Sequence, residues 1–191
     1  MKKQLTEQEF YFKLKYLSGV LNEEENKEEK YLYPKEIIKI IILGAMDKAI
    51  KEDKNYFSFI IVPVAMNFLG KCISKDKTFK INTNEKEDFN RFINELMPPK
   101  YKKVNEKIDL YSKLRNGMLN MLKPAKGLGL THKSEAKKFK VKHLDIVDNS
   151  VVLVIEDLWG DVKKAANKVL KMKFSDNDKM NKEFISVPDN D

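Results

Sequence analysis

Hydrophobic residues recur every three or four positions along most of this chain, which is the spacing of one buried face of an α-helix. The first such stretch places Phe10, Leu14, Leu17 and Leu21 on one side, and an acidic run follows as a solvated connection. The same spacing continues further along and predicts five helices before residue 123, at 10–21, Pro34–Asp53, Tyr56–Ser74, Asn84–Met97 and Tyr101–Leu122. The chain is therefore predicted to be mainly α, with a bundle of about five helices.

Local signals mark several of the predicted helix ends. Pro34 suits the first turn of a helix because that turn does not need the missing N–H group. Asn84, with Glu87 three residues later, has the form of a capping box, and Pro98 stops the helix that follows. The stretch at 56–74 is apolar nearly all round, so we predict that it forms the central, buried helix.

Beyond residue 122 the pattern changes from helical spacing to turns and alternation. Residues 123–135 are rich in Gly and polar residues and predict a loop. Apolar residues and lysines then alternate, and Asp148-Asn149-Ser150 separates them from a second apolar run, which predicts a β-hairpin at about 137–156. Asp157 is suited to cap a closing helix with inward positions at Leu158, Val162, Ala165, Ala166 and Val169.

Length and composition limit the class of protein. The 191 residues, 42% of them hydrophobic, suffice for one globular domain, which we expect over 1–173 with a flexible polar tail at 174–191. A single cysteine, Cys72, excludes an intramolecular disulfide and suits the cytoplasm. The longest apolar stretch, 15 residues at 56–70, is too short for a membrane span. No cluster of His and Cys predicts a metal site, and no motif predicts a cofactor.

Positive charge is concentrated in one block of the sequence. Residues 100–142 contain 13 Lys or Arg and three acidic residues, a net charge of +10, whereas the other 148 residues together carry −2. A basic block on a nearly neutral body is typical of proteins that bind polyanions. The alternative is that these lysines only solvate the helix faces of a Lys-rich chain.

The run Leu114-Arg115-Asn116-Gly117-Met118-Leu119-Asn120 lies within the basic block. Only two of the 37 basic residues are arginines, Arg91 and Arg115. Arg presents a planar fork of five N–H donors that matches a phosphate, whereas Lys presents a point charge. An arginine next to an asparagine in a Lys-rich chain therefore predicts a specific role for Arg115.

Together with its surroundings, this run resembles the HEPN superfamily of small helical proteins. The resemblance extends over roughly residues 36–170. The residues that carry the resemblance come before the hairpin and the closing helix. They are Phe89, Phe92, Pro98, Pro99, Tyr101, Leu110, Tyr111 and the run itself. Members of that family typically carry an Arg, often followed by Asn, and a His four to six residues after the Arg. Arg115 and Asn116 match this motif, whereas Asn120 occupies the His position.

The resemblance implies an activity on RNA. HEPN proteins commonly are metal-independent ribonucleases of toxin or antiviral systems that work as dimers, and others have lost catalysis and only bind. General acid–base transfer by a His contributes about 10²- to 10⁴-fold to catalysis, and the amide of Asn120 does not titrate. We therefore expect an HEPN-like, catalytically impaired protein of a defence or toxin–antitoxin system that binds RNA or a nucleotide, with Arg115, Asn116 and Asn120 positioning the phosphate.

Regular α-helical geometry predicts the arrangement of these side chains. At about 100° per residue, one polar sector of the helix holds Lys113, Asn116, Asn120 and Lys123. Arg115 lies at the edge of this sector. The opposite, buried sector would hold Leu110, Leu114, Gly117, Met118 and Met121. The alternative is an ordinary solvated helix face with an Asp109–Lys113 ion pair. We expect the lysines that bind nucleic acid to be Lys113, Lys123, Lys126, Lys138 and Lys140.

Two other functions stay open. A true endoribonuclease would need another base, and the chain offers His132 in the predicted loop and His143 in the predicted hairpin. A dimerising scaffold would instead use the basic block to bind an acidic protein. The expected partners are therefore RNA or a nucleotide, a second copy of the chain or an acidic protein, and no membrane.

Overall fold

The computed structural model describes residues 34–52, 57–75 and 84–172, which all belong to one compact unit. These residues form seven helices and a three-stranded sheet, so the predicted mainly α fold with a C-terminal hairpin and a closing helix is confirmed. The predicted helix at 10–21 and the predicted tail at 174–191 lie outside the described residues. In chain order the elements are α1 (34–52, in which Pro34–Glu36 and Asp47–Glu52 flank the π-helical Ile37–Met46), α2 (Ser58–Cys72), α3 (Glu85–Glu95), α4 (Pro99–Ile108), α5 (π-helical Tyr111–Asn116, then Gly117–Met121), β1 (Leu128–Thr131), α6 (Lys133–Lys138), β2 (Ile146–Val147), β3 (Ser150–Val154) and α7 (Ile155–Lys171).

Helix α2 lies at the centre of the hydrophobic core, as its apolar sequence predicts. It contacts α3 at Gly70, where an added Cβ would lie 1.9 Å from the carbonyl oxygen of Asp88, so no side chain fits. The closing helix α7 buries all of its predicted inward positions, namely Leu158, Val162, Ala165, Ala166 and Val169. In the described ranges neither α2 nor any other helix is long and apolar enough to cross a membrane.

The prediction of a single helix at 101–122 is wrong, because the helix is interrupted at Asp109. This residue has a left-handed backbone with φ of 51° and separates α4 from α5. Its carboxylate accepts hydrogen bonds from the hydroxyl of Ser112 at 2.9 Å and from Lys86 at 2.7 Å. A short acidic side chain that binds neighbouring groups in this way competes with helix continuation. Asp109 is thus engaged with Ser112 and Lys86, and the Asp109–Lys113 ion pair of the alternative prediction is not formed.

The segment predicted as a loop at 123–135 contains a strand. β1 runs parallel to β3, with Leu128 opposite Val151 and Thr131 opposite Val154. Gly127 precedes β1 and Gly129 lies within it, and local rules assign glycines to turns. Its partner strand begins more than twenty residues later, so only the long-range pairing makes this segment a strand.

The predicted hairpin is confirmed at its turn but not in its first strand. β2 pairs antiparallel with β3, and the connecting Asp148 and Asn149 are both left-handed, with φ of 46° and 60°, which suits a tight hairpin turn. β2 has only two residues, and the alternating run at 137–142 forms the end of α6 and an irregular segment instead. Phe139 of this run is exposed, so the alternation does not supply the buried face that fixes a strand register.

Two predicted helix caps are not made by side chains. Asn84 precedes α3 with a left-handed backbone, but its side chain forms no capping hydrogen bond. Helix α7 begins three residues earlier than predicted, after the extended residue Val154. The carboxylate of Asp157 instead binds the ammonium group of Lys133 at 2.9 Å, which ties α7 to α6.

Candidate nucleic-acid interface

The first turns of α5, which contain most of the candidate motif, are π-helical. Tyr111–Asn116 closes its backbone hydrogen bonds over one more residue than an α-helix does, and regular α-helical geometry returns only at Gly117. Helix α5 ends at Met121 and Leu122 is left-handed, with φ of 54°, so Lys123 lies beyond the helix and outside the predicted sector with Lys113, Asn116 and Asn120. Leu110, Leu114, Gly117 and Met118 are buried as predicted, whereas Met121 is 64% exposed.

Arg115 is held by three neighbouring groups. One terminal nitrogen donates to the side-chain oxygen of Asn116 at 3.0 Å, and the other forms an ion pair with Glu85 at the start of α3. The guanidinium carbon lies 5.5 Å from the ring centre of Tyr111, whose hydroxyl donates to the same Glu85 carboxylate at 3.3 Å. Burial raises the pKa of Tyr111 although the charge of Arg115 opposes the shift, and the Glu85 carboxylate adds to it, so this hydroxyl stays a donor. Arg115 therefore has a fixed orientation, and Glu85 already offsets part of its charge.

Asn120 does not join this group. It is exposed, and its side chain makes no hydrogen bond to any residue in the described part of the chain. The structure thus joins Arg115 and Asn116 by a hydrogen bond, and it leaves the third residue of the predicted motif without a hydrogen bond to either.

Lys113 holds the chain that follows α5 and is not a free cation. Its ammonium group donates to the carbonyl oxygen of Lys126, and its own carbonyl accepts from the amide of Ala125 at 3.1 Å. The returning chain packs directly on Gly117, where an added Cβ would lie 2.8 Å from the carbonyl oxygen of Lys123. Gly117 therefore has a packing role, and Lys113 is the one predicted lysine that the fold itself uses.

The other four predicted lysines belong to a larger exposed group, which we call the lysine surface. Eleven lysines of the basic block are exposed, and nine of them have no carboxylate within 4.0 Å among the described residues. The lysine surface consists of Lys102, Lys103, Lys107, Lys123, Lys126, Lys137, Lys138, Lys140 and Lys142. The remaining basic residues of the block are Lys113, Arg115 and two lysines that pair with acidic residues of α7. Most of the positive charge of the block is thus presented to solvent without an internal counter-charge.

A partly buried hydrogen-bond network attaches the lysine-rich chain after α6 to the helices. The Nε2 atom of His143 lies 2.8 Å from the hydroxyl of Tyr101 in α4, which donates to Asp161 in α7 at 3.1 Å. The backbone amide of Val154 donates to Nδ1 of the same ring at 2.9 Å. Nδ1 therefore carries no proton, and the neutral ring donates from Nε2. Sequence reasoning missed this network; the one available signal was Tyr101 on the inner face of α4, since a buried phenol needs a partner.

His143 is not available as a general base, because both of its ring nitrogens are bonded within the protein. His132, the other candidate base, is half-buried at the start of α6, with its Nδ1 atom 3.6 Å from a carboxylate oxygen of Glu156 and its ring edge-on to Phe59. In the described ranges no group of three or more His, Cys, Asp or Glu side chains is placed to hold a metal ion.

The neutral state of His143 predicts a pH dependence of stability. Burial, assisted by the charge of Lys100, lowers its pKa from 6.5 to about 4, although Asp157 and Asp161 oppose the shift. The unfolded chain therefore takes up a proton first as the pH falls, so stability is complete above pH 6.5 and declines towards pH 4 by up to about 3 kcal/mol. Urea unfolding across this range should show the decline in wild type and a much smaller one in His143→Gln.

A second variant and a second pH range separate this effect from others. His132→Gln controls for the loss of a histidine and should keep the decline. Lysine partners hold the pKa values of Asp47, Asp109 and Asp161 below their usual value, although burial opposes this shift. Protonation of these carboxylates therefore reduces the stability of the fold only below about pH 3.8. An equal decline in His143→Gln and wild type between pH 6.5 and pH 4 would show that His143 does not cause it.

Comparisons of the chain with protein-family models, with curated proteins and with solved structures found no match. The assignment of a function therefore depends on the chemistry of the surface itself.

Proposed function

We propose that the protein binds RNA through the lysine surface and that Arg115 with Asn116 adds an arginine contact to phosphate. The observation that carries the proposal is the group of nine exposed lysines without carboxylate neighbours among the described residues. Unpaired lysines attract phosphates and release bound counterions, which gives affinity that does not depend on sequence and falls steeply with salt. A solvated helix face with interspersed acidic partners would not have this property.

The geometry of Arg115 supports a role in this binding. Its contacts to Asn116 and Glu85 use two of the five N–H donors of the guanidinium group, and the side chain is 20% exposed. The remaining donors are oriented by the ring of Tyr111 and by these two contacts, so little conformational freedom is lost when a phosphate binds. Glu85 competes with that phosphate, because both are anionic ligands of the same guanidinium group.

The proposal is one of binding without cleavage. Asn120 offers an amide and no titratable group, and both ring nitrogens of His143 are engaged within the protein. The HEPN-like motif therefore supports a catalytically impaired member of that superfamily, and a defence or toxin–antitoxin system is the setting that we propose for it.

The test is a fluorescence-anisotropy titration of labelled single-stranded RNA at low salt with wild type and three variants. Wild type should bind, and Glu85→Gln should bind about 1.5- to 5-fold more tightly because it removes the competing carboxylate. Glu87→Gln, in the same turn of α3 and exposed, makes the same change in net charge away from Arg115 and should have a smaller effect. In the Arg115→Ala background the advantage of Glu85→Gln should disappear.

Two results would contradict these statements separately. Absence of RNA binding by wild type at low salt would refute the proposed function as a whole. Equal affinities for Glu85→Gln and Glu87→Gln would leave the lysine surface in place but would show that Arg115 takes no part in binding.

A further inference from the structure

We propose that Phe139 is a stacking platform for an unpaired base, so that the nucleic acid bound by the lysine surface is single-stranded. This inference rests on the proposed function and specifies its ligand. Phe139 is 77% exposed, the highest value among the large hydrophobic side chains of the described residues. An aromatic ring within a positively charged surface is the arrangement with which proteins bind single strands, because every base has a face that stacks on the ring.

The backbone presents Phe139 on a rigid turn. The amide of Val141 donates to the carbonyl oxygen of Ala136 at 2.9 Å, and the amide of Lys140 donates to that of Lys137 at 3.3 Å. These two bonds close the end of α6 around Lys140, which is left-handed with φ of 54°, in the pattern of a Schellman cap. Glycine is the residue that usually occupies this position, and a lysine there is strained. This strained backbone at Lys140 occurs directly next to the exposed ring of Phe139.

The turn is fixed on its other side as well. The carboxylate of Asp145 accepts from the backbone amide of Lys142 at 2.7 Å, and the next residue, His143, is bonded to Tyr101. Phe139 therefore lies between two closed turns, and it loses little conformational entropy when a base stacks on it.

The charges beside the ring are of one sign. Residues 137–142 contain four lysines and no acidic residue, and all four lysines belong to the lysine surface. The nearest acidic residues along the chain are engaged elsewhere, Glu135 with the hydroxyl of Thr131 and Asp145 with the backbone amide described above. Phosphates on either side of a stacked base would thus meet ammonium groups that have no carboxylate partner.

A membrane surface is a less suitable ligand for this segment. Proteins that lie on membranes insert the apolar face of an amphipathic helix. Helix α6 has only six residues, its single buried residue is Ala136, and both Lys137 and Lys138 are exposed. The segment offers one ring and no apolar helix face, so an unpaired base is the ligand that fits it.

The experiment compares Phe139→Ala with wild type for binding of a short oligouridylate and of a duplex RNA of the same length. Phe139→Ala should weaken oligouridylate binding by about 5- to 150-fold, the range found for loss of one stacked base, and should leave duplex binding and the salt dependence unchanged. Phe57→Ala is the matched control, since Phe57 is also exposed, at 56%, and is not flanked by these lysines. Circular dichroism melting should be the same for both variants, because neither ring is in the core.

A fluorescence measurement tests contact directly. The single tryptophan, Trp159, is buried and donates to Asp47, so its emission should not respond to oligouridylate. Phe139→Trp should keep the wild-type affinity, and its added emission should be quenched on binding. If wild type binds oligouridylate but Phe139→Ala binds equally well and Phe139→Trp is not quenched, the stacking proposal is wrong while the RNA-binding proposal stands. No binding of either RNA refutes both, and Phe139-dependent binding to phosphatidylserine vesicles in place of RNA would show that the ring contacts lipid.

Discussion

Gly70→Ala is expected to destabilise the protein by about 3 kcal/mol, because the added methyl group has no space. Its carbon would lie 1.9 Å from the carbonyl oxygen and 2.7 Å from the carbonyl carbon of Asp88, and 3.1 Å from the Cβ of Phe92. Two of these atoms are backbone, so the overlap is relieved only if α2 and α3 separate. Asp88 is itself buried and paired with Arg91 at 2.5 Å, which makes that movement costly.

Gly160→Ala is the matched control for this prediction. Gly160 lies within α7, and an added Cβ would meet nothing within 4 Å. Ala is favoured over Gly in a helix interior by about 1 kcal/mol, so this variant should be slightly more stable than wild type. Urea unfolding of the three proteins measures both effects. A loss of less than about 1 kcal/mol in Gly70→Ala would mean that α2 and α3 do not approach as closely as described.

Secondary structure followed from the sequence wherever one buried face decides it. The spacing of Leu158, Val162 and Val169 predicted the inward face of α7, and those residues are buried. Prediction failed where one side chain or one distant strand decides the outcome. The break at Asp109 depends on bonds to Ser112 and Lys86, and β1 exists only because β3 pairs with it. Neither relation is visible in a local pattern.

The candidate site was predictable only in part. Arg115 and Asn116 could be predicted as a pair because they are adjacent in the sequence, and the structure joins them by a hydrogen bond of 3.0 Å. The ion pair with Glu85 was out of reach, because that residue lies 30 positions earlier on another helix. The π-helical turn and the end of the helix at Met121, before Lys123, also escaped prediction. The homodimer that the HEPN resemblance implies stays a prediction.

The second large effect is expected when charge is removed from the lysine surface. Exchange of four of its lysines for glutamine, at Lys123, Lys126, Lys138 and Lys140, should weaken binding of single-stranded RNA by more than about tenfold at low salt, because four phosphate contacts are lost. The matched control exchanges four lysines that are exposed but lie outside the basic block, Lys39, Lys48, Lys75 and Lys171. Both variants lose the same net charge, so any difference between them reports position and not total charge.

The most direct measurement is the slope of the logarithm of the RNA affinity against the logarithm of the salt concentration for these three proteins. Each phosphate contact on a single strand contributes roughly −0.7 to that slope. Loss of Lys123, Lys126, Lys138 and Lys140 should therefore make it shallower by nearly 3 units, and the control exchange should leave it close to that of wild type. Equal slopes for the two variants, or a slope near zero for wild type, would contradict RNA binding by the lysine surface.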